Sequence, residues 1–237
     1  MTTAPERSDA TLETDNAPAT LPRVFVPPGV YQPQEDSWLI AQAIRDIAIS
    51  AGTAVLDFCT GSGVLALSAA ERGATVVALD ISRTAVLTAR VNARLRRLPL
   101  TVRRGNLHRA KAFGPFDVVI SNPPYVPALA TDSAAPFAER WDAGPDGRAV
   151  LDPLCEAAWD LVRPGGSILI VHSAFSSAEQ TLDRLRANGF DAAVVRRAMI
   201  PFGSVLRSRR TYLQSVGLCD PGCDEEELVV IRGDKPE

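Results

Sequence analysis

Val55-Leu56-Asp57-Phe58-Cys59-Thr60-Gly61-Ser62-Gly63 is the stretch on which the reading of the fold turns. The apolar residues 54–56 read as a short buried strand, and Val64-Leu65-Ala66-Leu67-Ser68-Ala69-Ala70 reads as a helix packed on a sheet. The turn between them carries small side chains or none. A ligand can therefore approach the backbone closely, with N–H groups of the helix start facing it.

Two ligand classes use such a turn. A dinucleotide fingerprint asks for glycine at the first, third and sixth places, where this chain has Cys59, Gly61 and Val64, so it fails at two of three. The alternative is an acid at the strand end followed by a tighter glycine turn, as in S-adenosylmethionine sites. Asp57 is that acid, suited to a cationic amino group. Asp80 ends the next apolar run, Ala74-Thr75-Val76-Val77-Ala78-Leu79, where a carboxylate for ribose hydroxyls is expected about 20 residues on. Taken alone, the same glycine turn also suits any α/β protein.

The chain has 237 residues, 46% of them hydrophobic, and a net charge of −3. That suits one α/β domain with a sizeable core, and the charge does not advertise nucleic acid. No run approaches the ~18 apolar residues of a membrane span, and residues 1–23 lack the apolar centre of a secretion signal. Cys59, Cys155, Cys219 and Cys223 are too few for a disulfide framework. A cytoplasmic location is expected. Residues 1–23 read as a disordered tail and 24–237 as a single domain.

Residues 24–50 form an entry segment. After Val24-Phe25-Val26 and Pro27-Pro28-Gly29, the residues Trp38, Ile40, Ala43, Ile44 and Ile47 recur at helical spacing behind Glu35 and Asp36. Periodicity leaves open whether this helix only packs or also covers a cofactor. Ser82 can cap a helix running to about Leu98, and Leu100-Thr101-Val102 reads as the third strand. Between Ile81 and Phe116 there is no acidic residue, against Arg83, Arg90, Arg94, Arg96, Arg97, Arg103, Arg104, Arg109 and Lys111. Such a run is a solvated face or a contact for RNA or the ribosome. Asn106, in Gly105-Asn106-Leu107, is placed to meet the exocyclic amine of an adenine.

The fourth strand, Phe116-Asp117-Val118-Val119-Ile120, delivers Ser121-Asn122-Pro123-Pro124-Tyr125 at its carboxyl end, the edge where open α/β sheets bind ligands. An amino group conjugated to a carbonyl or ring is a poor nucleophile, because its lone pair is delocalised. Acceptors for both its N–H bonds turn that lone pair toward an electrophilic methyl. The Asn122 side-chain oxygen and the Pro123 carbonyl supply them, the prolines stiffen the loop, and Tyr125 offers a flat face.

With these residues in place, the chain resembles the Asn-Pro-Pro-Tyr branch of class I S-adenosylmethionine-dependent methyltransferases. It is similar in particular to the release-factor glutamine methyltransferases, in their small form without an N-terminal helical domain. The match covers residues 30–171, including Tyr31-x-Pro33-x-Glu35-Asp36-Ser37 and Trp141-Asp142-Ala143-Gly144-Pro145-Asp146-Gly147. The resemblance implies that Ser37, Asp57, the Cys59 backbone, Gly61, Gly63, Asp80, Asn106, Leu107 and Asn122 hold the cofactor. Asn122, Pro123 and Tyr125 would form the catalytic grip on a glutamine amide. It departs at Cys59, which stands where the family has its first glycine, and in the C-terminal third. Small eukaryotic relatives look like a paired design, with a zinc-bearing partner along the third-strand edge. Here Pro99 and Arg103-Arg104 discourage strand addition, so a free-standing chain is expected.

Residues 126–147 are a long connection of the kind that forms binding loops, in which Trp141 walls an acceptor pocket or packs structurally. A helix over 148–162 is expected to bury Val150, Leu151, Leu154, Ala158 and Leu161, with Cys155 in the core. Pro164-Gly165-Gly166 reads as a turn into the fifth strand, Ser167-Ile168-Leu169-Ile170-Val171, which ends at His172. That histidine touches substrate or packs. A helix over 176–188 and a strand over 190–199 follow. Residues 201–220 are a helical insertion with Val205, Leu206, Leu213 and Val216 on one face and Arg207, Arg209 and Arg210 on the other. Cys219 and Cys223 lack the further ligands of a metal site.

The elements alternate, implying an α/β, doubly wound, mostly parallel sheet with helices on both faces. The family fold has seven strands with the last antiparallel. The expected activity is methyl transfer from S-adenosylmethionine to a planar amino nitrogen, with glutamine of a release-factor-like protein as leading acceptor. An exocyclic nitrogen of adenine or guanine in RNA or DNA, or a small molecule, are the alternatives. A chain that binds cofactor without chemistry is a further one.

Overall fold

The run that opens the glycine turn becomes β1 (Ala54–Phe58), the third strand of a seven-stranded sheet of order β3-β2-β1-β4-β5-β7-β6. The other strands are β2 (Thr75–Asp80), β3 (Leu100–Arg104), β4 (Phe116–Ser121), β5 (Val162–Ser173), β6 (Asp191–Pro201) and β7 (Glu225–Asp234). The computed structural model describes residues 21–129 and 140–237, so most of the expected tail, and the centre of the 126–147 connection, lie outside the described residues. Strands β1 to β5 pair in parallel, and β7 runs antiparallel to both β5 and β6. This is the expected arrangement.

Strand alternation builds two apolar layers. Val55, Val76, Val102, Ile120 and Leu169 face α1 (Glu35–Arg45), α2 (Val64–Glu71) and α3 (Arg83–Leu95). Leu56, Leu79, Val119, Ile168 and Ile170 face the other way, onto α4 (Leu107–Lys111), α5 (Leu151–Leu161) and α6 (Ala178–Ala187). A third, smaller cluster joins Val126 to Phe202, Leu206, Leu213 and Cys219 beneath α7 (Ser204–Ser215).

Several boundaries differ from the sequence reading, each for a local reason. Helix α3 stops at Leu95 because Arg97 adopts φ 57° and the Leu98 N–H turns back to the Ala93 carbonyl. Helix α5 starts only at Leu151. Pro164-Gly165-Gly166 is carried inside β5 as a bulge: Phe116 pairs with Val162 but Val118 with Ser167. In α1 the buried stripe runs through Ile40 and Ile44, and Trp38, two positions from Ile40 and so across the helix, is exposed. Arg209 is the clearest correction in the insertion. It is buried and ion-paired with Asp142, not on a solvated arginine face, whereas Val216 is exposed.

Where the chain leaves β1, the turn needs left-handed backbone at three places: Cys59 (φ 62°), Gly61 (φ 54°) and Gly63 (φ 83°). The cysteine tolerates it at a cost of about 1–2 kcal/mol. Gly63 starts α2, and a Cβ there would lie 3.0 Å from the Ala89 methyl of α3, whereas a Cβ at Gly61 would meet nothing within 4 Å. Gly63→Ala should therefore destabilise by about 2–3 kcal/mol and Gly61→Ala by only about 1 kcal/mol in denaturant titrations. Equal losses would contradict the packing of α2 on α3.

Candidate active site

Two chain reversals meet at one rim. Strands β1 and β4 are neighbours in register, with Phe58 opposite Ser121, and the Ser121 hydroxyl donates to the Phe58 carbonyl at 2.8 Å. The glycine turn at Cys59 and the loop at Asn122 thus leave the sheet side by side, at the point where strand order reverses. They open onto one cavity of about 350 Å³.

One half of the cavity is lined by Cys59, Thr60, Gly61, Ser62, Asp80 and Ile81. Asp80 is held by backbone amides, with Oδ2 accepting from Gly61 N at 2.9 Å and Oδ1 from Ser82 N at 2.8 Å. Burial raises its pKa, and the backbone hydrogen bonds offset part of that rise. The exposed side chain of Ile81 adds an apolar wall that the sequence reading missed. Asp57 is placed differently from expectation. It lies beneath the turn and off the cavity wall, its Oδ2 accepting from the Thr60 hydroxyl at 2.5 Å and from Ala66 N at 3.0 Å. Its Oδ1 is buried with no partner, and burial, with Asp80 adding to it, pushes the carboxyl up to about 7. The structure does not bring Asn106 and Leu107 to the wall either. Asn106 caps α4 by accepting from Arg109 N at 3.3 Å, Leu107 packs toward the α5 side, and Gly105 lines the cavity instead.

The other half is lined by Asn122, Pro123, Pro124 and Tyr125, with Tyr31, Ser37, Trp141, Glu226 and the start of α7. Asp36 organises it. Only 2% exposed, its carboxylate accepts from the Tyr31 hydroxyl at 2.7 Å, the Tyr125 hydroxyl at 3.2 Å, Ser37 N at 2.5 Å and the Ser37 hydroxyl at 3.1 Å. Burial, then Asp36 itself, raises both phenols well above their ordinary value, so they stay donors. Ser37 in turn meets the Asn122 side-chain nitrogen at 3.4 Å, which leaves the Asn122 oxygen on the far side of the amide. Tyr125 has its ring at the junction of the three apolar clusters and its hydroxyl tied down. The entry segment does line the cavity.

Trp141 walls the pocket, with the Arg140 guanidinium 4.3 Å from its ring centre. The loop that carries it is strapped by α7 through the Arg209–Asp142 pair and through the Tyr212 hydroxyl on the Pro145 carbonyl at 2.8 Å. His172 is packed away from the cavity. It is fully buried, Nδ1 lies 2.8 Å from the Ser173 carbonyl, and burial lowers its pKa to about 4.

Asp36 and Glu226 are the residues that sequence reasoning missed. Asp36 looked like an ordinary first-turn acid. Glu226 sits in Glu225-Glu226-Glu227, and carrying the alternation back from buried Leu228 would have turned it inward.

Asp57 and Glu226 both titrate near 7 in the folded chain, against about 4 when unfolded. The native state therefore binds protons more tightly. The stabilisation is full below about pH 4 and is lost as pH rises through 7. The melting temperature of the ligand-free chain should fall between pH 5 and pH 8 in scanning calorimetry, and an Asp57→Asn, Glu226→Gln double variant should flatten the slope. A wild-type curve that rises over this range contradicts both assignments.

A family model described as a methyltransferase small domain matches residues 28–193. A relative from Methanocaldococcus jannaschii, named "Putative protein N5-glutamine methyltransferase", is 31% identical over 183 residues, which are 76% of this chain and 90% of that protein. A release factor glutamine methyltransferase from Deinococcus radiodurans is 36% identical over 168 residues, covering 68% of this chain but only 59% of the longer relative. Among solved structures, the E. cuniculi Mtq2-Trm112 complex, described as responsible for methylation of the eRF1 termination factor, matches with TM-score 0.54 and 23% identity. The match spans 87% of this chain and 99% of that one, and it speaks to the fold alone. The T. thermophilus 16S rRNA N2 G1207 methyltransferase, solved with AdoMet and guanosine, matches with TM-score 0.57 at 18% identity, over 92% and 50% of the two chains. With most of its sheet inside the matched region and a relative matched nearly end to end, the chain belongs to the methyltransferase small-domain family and is a methyltransferase.

Proposed function

We propose that the chain moves a methyl group from S-adenosylmethionine to the side-chain amide nitrogen of a glutamine in a release-factor-like protein. The observation that carries this is the β1–β4 register, which sets the glycine turn and the Asn122-Pro123-Pro124-Tyr125 loop on one cavity. The names of the two relatives support glutamine as acceptor.

The residues present suit this donor. Asp80 stands on the wall, the Asp57 oxygen below it is buried without a partner, and no ion pair to either is found among the described residues. That environment favours a cationic ligand. Asp80, fixed by two backbone amides, keeps lone pairs for vicinal hydroxyls, and Ile81 offers an apolar face to a ring. Gly61 and Gly63 hold the turn in the conformation that exposes its backbone, and Ser37 bridges to the acceptor half. The donor supplies an electrophilic methyl on a sulfonium; everything else is done by this chain.

The amide of a glutamine is resonance-stabilised and weakly nucleophilic. The Asn122 oxygen and the Pro123 carbonyl accept its two N–H bonds, twist the lone pair toward the donor, and stabilise positive charge developing on nitrogen. Tyr125 and Ser37 fix the loop through Asp36. No general base is required, because the product nitrogen loses its proton to water. We read 24–237 as one unit acting in the cytoplasm, where such an acceptor is met; no helix among the described residues is long and apolar enough to cross a membrane.

An exocyclic base nitrogen would suit the same grip. However, Arg90 is bound to the Val102 carbonyl, Arg96 to Glu71 and Arg104 to the Ile81 carbonyl, which weakens the RNA reading of that patch. The free-standing expectation meets an opposing observation at the same edge: α3 leaves Leu87, Val91 and Leu95 exposed in one helical stripe.

Mass spectrometry of release factors from cells with and without the chain should show one methylated glutamine only when it is present. With purified components, Asn122→Ala should lower kcat by about 100-fold or more. Labelled RNA with unlabelled release factor would overturn the acceptor. Light scattering of the purified chain should give the mass of a single chain, and a stoichiometric small subunit would overturn independence.

A further inference from the structure

We infer that Glu226 is an acceptor-binding residue, whose free carboxylate oxygen takes an N–H donor of the polypeptide beside the target amide; this rests on the protein-acceptor reading above.

The placement follows from topology. Strand β7 is antiparallel to its neighbours, so its first residues arrive at the rim where the parallel strands end: Leu228 pairs with Ser173, the last residue of β5. Glu226, two residues earlier and on the same face as Leu228, reaches the cavity next to Tyr31, Asp36 and Tyr125. Its neighbours are Glu35 and Asp36 of α1 and the Ser173 hydroxyl at the end of β5.

Its chemistry is incomplete. Glu226 is only 7% exposed, and its Oε2 has no hydrogen-bond partner. Among the described residues no ion pair to a lysine or arginine is found for it. The groups around it are Glu35 and Asp36 from α1, the Tyr31 and Tyr125 phenols, and the Ser173 hydroxyl, which bonds it. Asp36 has its oxygens filled by Tyr31, Tyr125 and Ser37. Glu226 is thus the carboxylate of the pair with accepting capacity left over. Glu226 lines the cavity while its Oε2 is buried without a partner, an unfavourable arrangement that an N–H brought in by a ligand would relieve. A polypeptide presents such groups on both sides of a glutamine. Burial, then the neighbouring acids, push Glu226 up to about 7, so its accepting form grows as pH rises through neutrality.

The test is steady-state kinetics with a purified release factor and S-adenosylmethionine, together with calorimetric titration of the cofactor. Glu226→Leu should raise the release-factor KM by about tenfold or more, with a smaller effect on kcat and cofactor Kd within about twofold. Glu226→Gln should raise KM less and abolish the fall in wild-type KM between pH 6 and pH 8. If Glu226→Leu no longer binds cofactor, the glutamine variant decides alone. Unchanged KM in the glutamine variant with an unchanged pH profile overturns the inference, as does a cofactor Kd that shifts by the same factor as KM. A wild-type enzyme that labels no release factor overturns the acceptor reading and this inference together. A wild type that labels it while the variants match it overturns only the role of Glu226.

Discussion

The pairing of β1 with β4 is the constraint on which the site depends. Both strands are short, buried on both faces and locked in register, and their last residues are tied by the Ser121 hydroxyl on the Phe58 carbonyl. A shift of one residue would turn Leu56 and Val119 toward the wrong layer, so the apolar alternation that builds the core also fixes where the two loops leave it. Geometry at the rim is thus inherited from packing, and neither loop has to find the other.

A second layer of order comes from one carboxylate. Asp36 is buried, a costly state made tolerable by four donors from three residues: Tyr31 and Ser37 of the entry segment and Tyr125 of the loop after β4. This arrangement, together with apolar packing of Tyr125, fastens the entry segment to the loop after β4. Both phenols stay protonated and donate to Asp36. Rigidity at Tyr125 and Ser37 passes directly to Asn122.

Much of this was legible in the sequence. The alternation of strands and helices, the glycine turn, the fourth-strand loop and the α7 insertion followed from periodicity and turn chemistry, because those signals are local, while the count of seven strands came with the family resemblance. What escaped was set by tertiary placement. Asp57 has the right spacing for a ligand contact, but Thr60 and the Ala66 amide draw its carboxylate under the turn. Asn106 is drawn away by its own helix cap. The partner of Arg209 lies 67 residues away, so its burial could not be read from a helical stripe. Glu226 was hidden among like charges, where only the strand phase separates the inward residue from the outward ones.

The cover over the acceptor loop has its own small apolar cluster, separate from the two layers that hold the sheet, and α7 is inserted between β6 and β7. Its attachments run to the loop, through Asp142, Pro127 and Pro145. One contiguous insertion can therefore change without disturbing the two layers that hold the sheet and the glycine turn. The matched family region ends at residue 193, before this insertion begins.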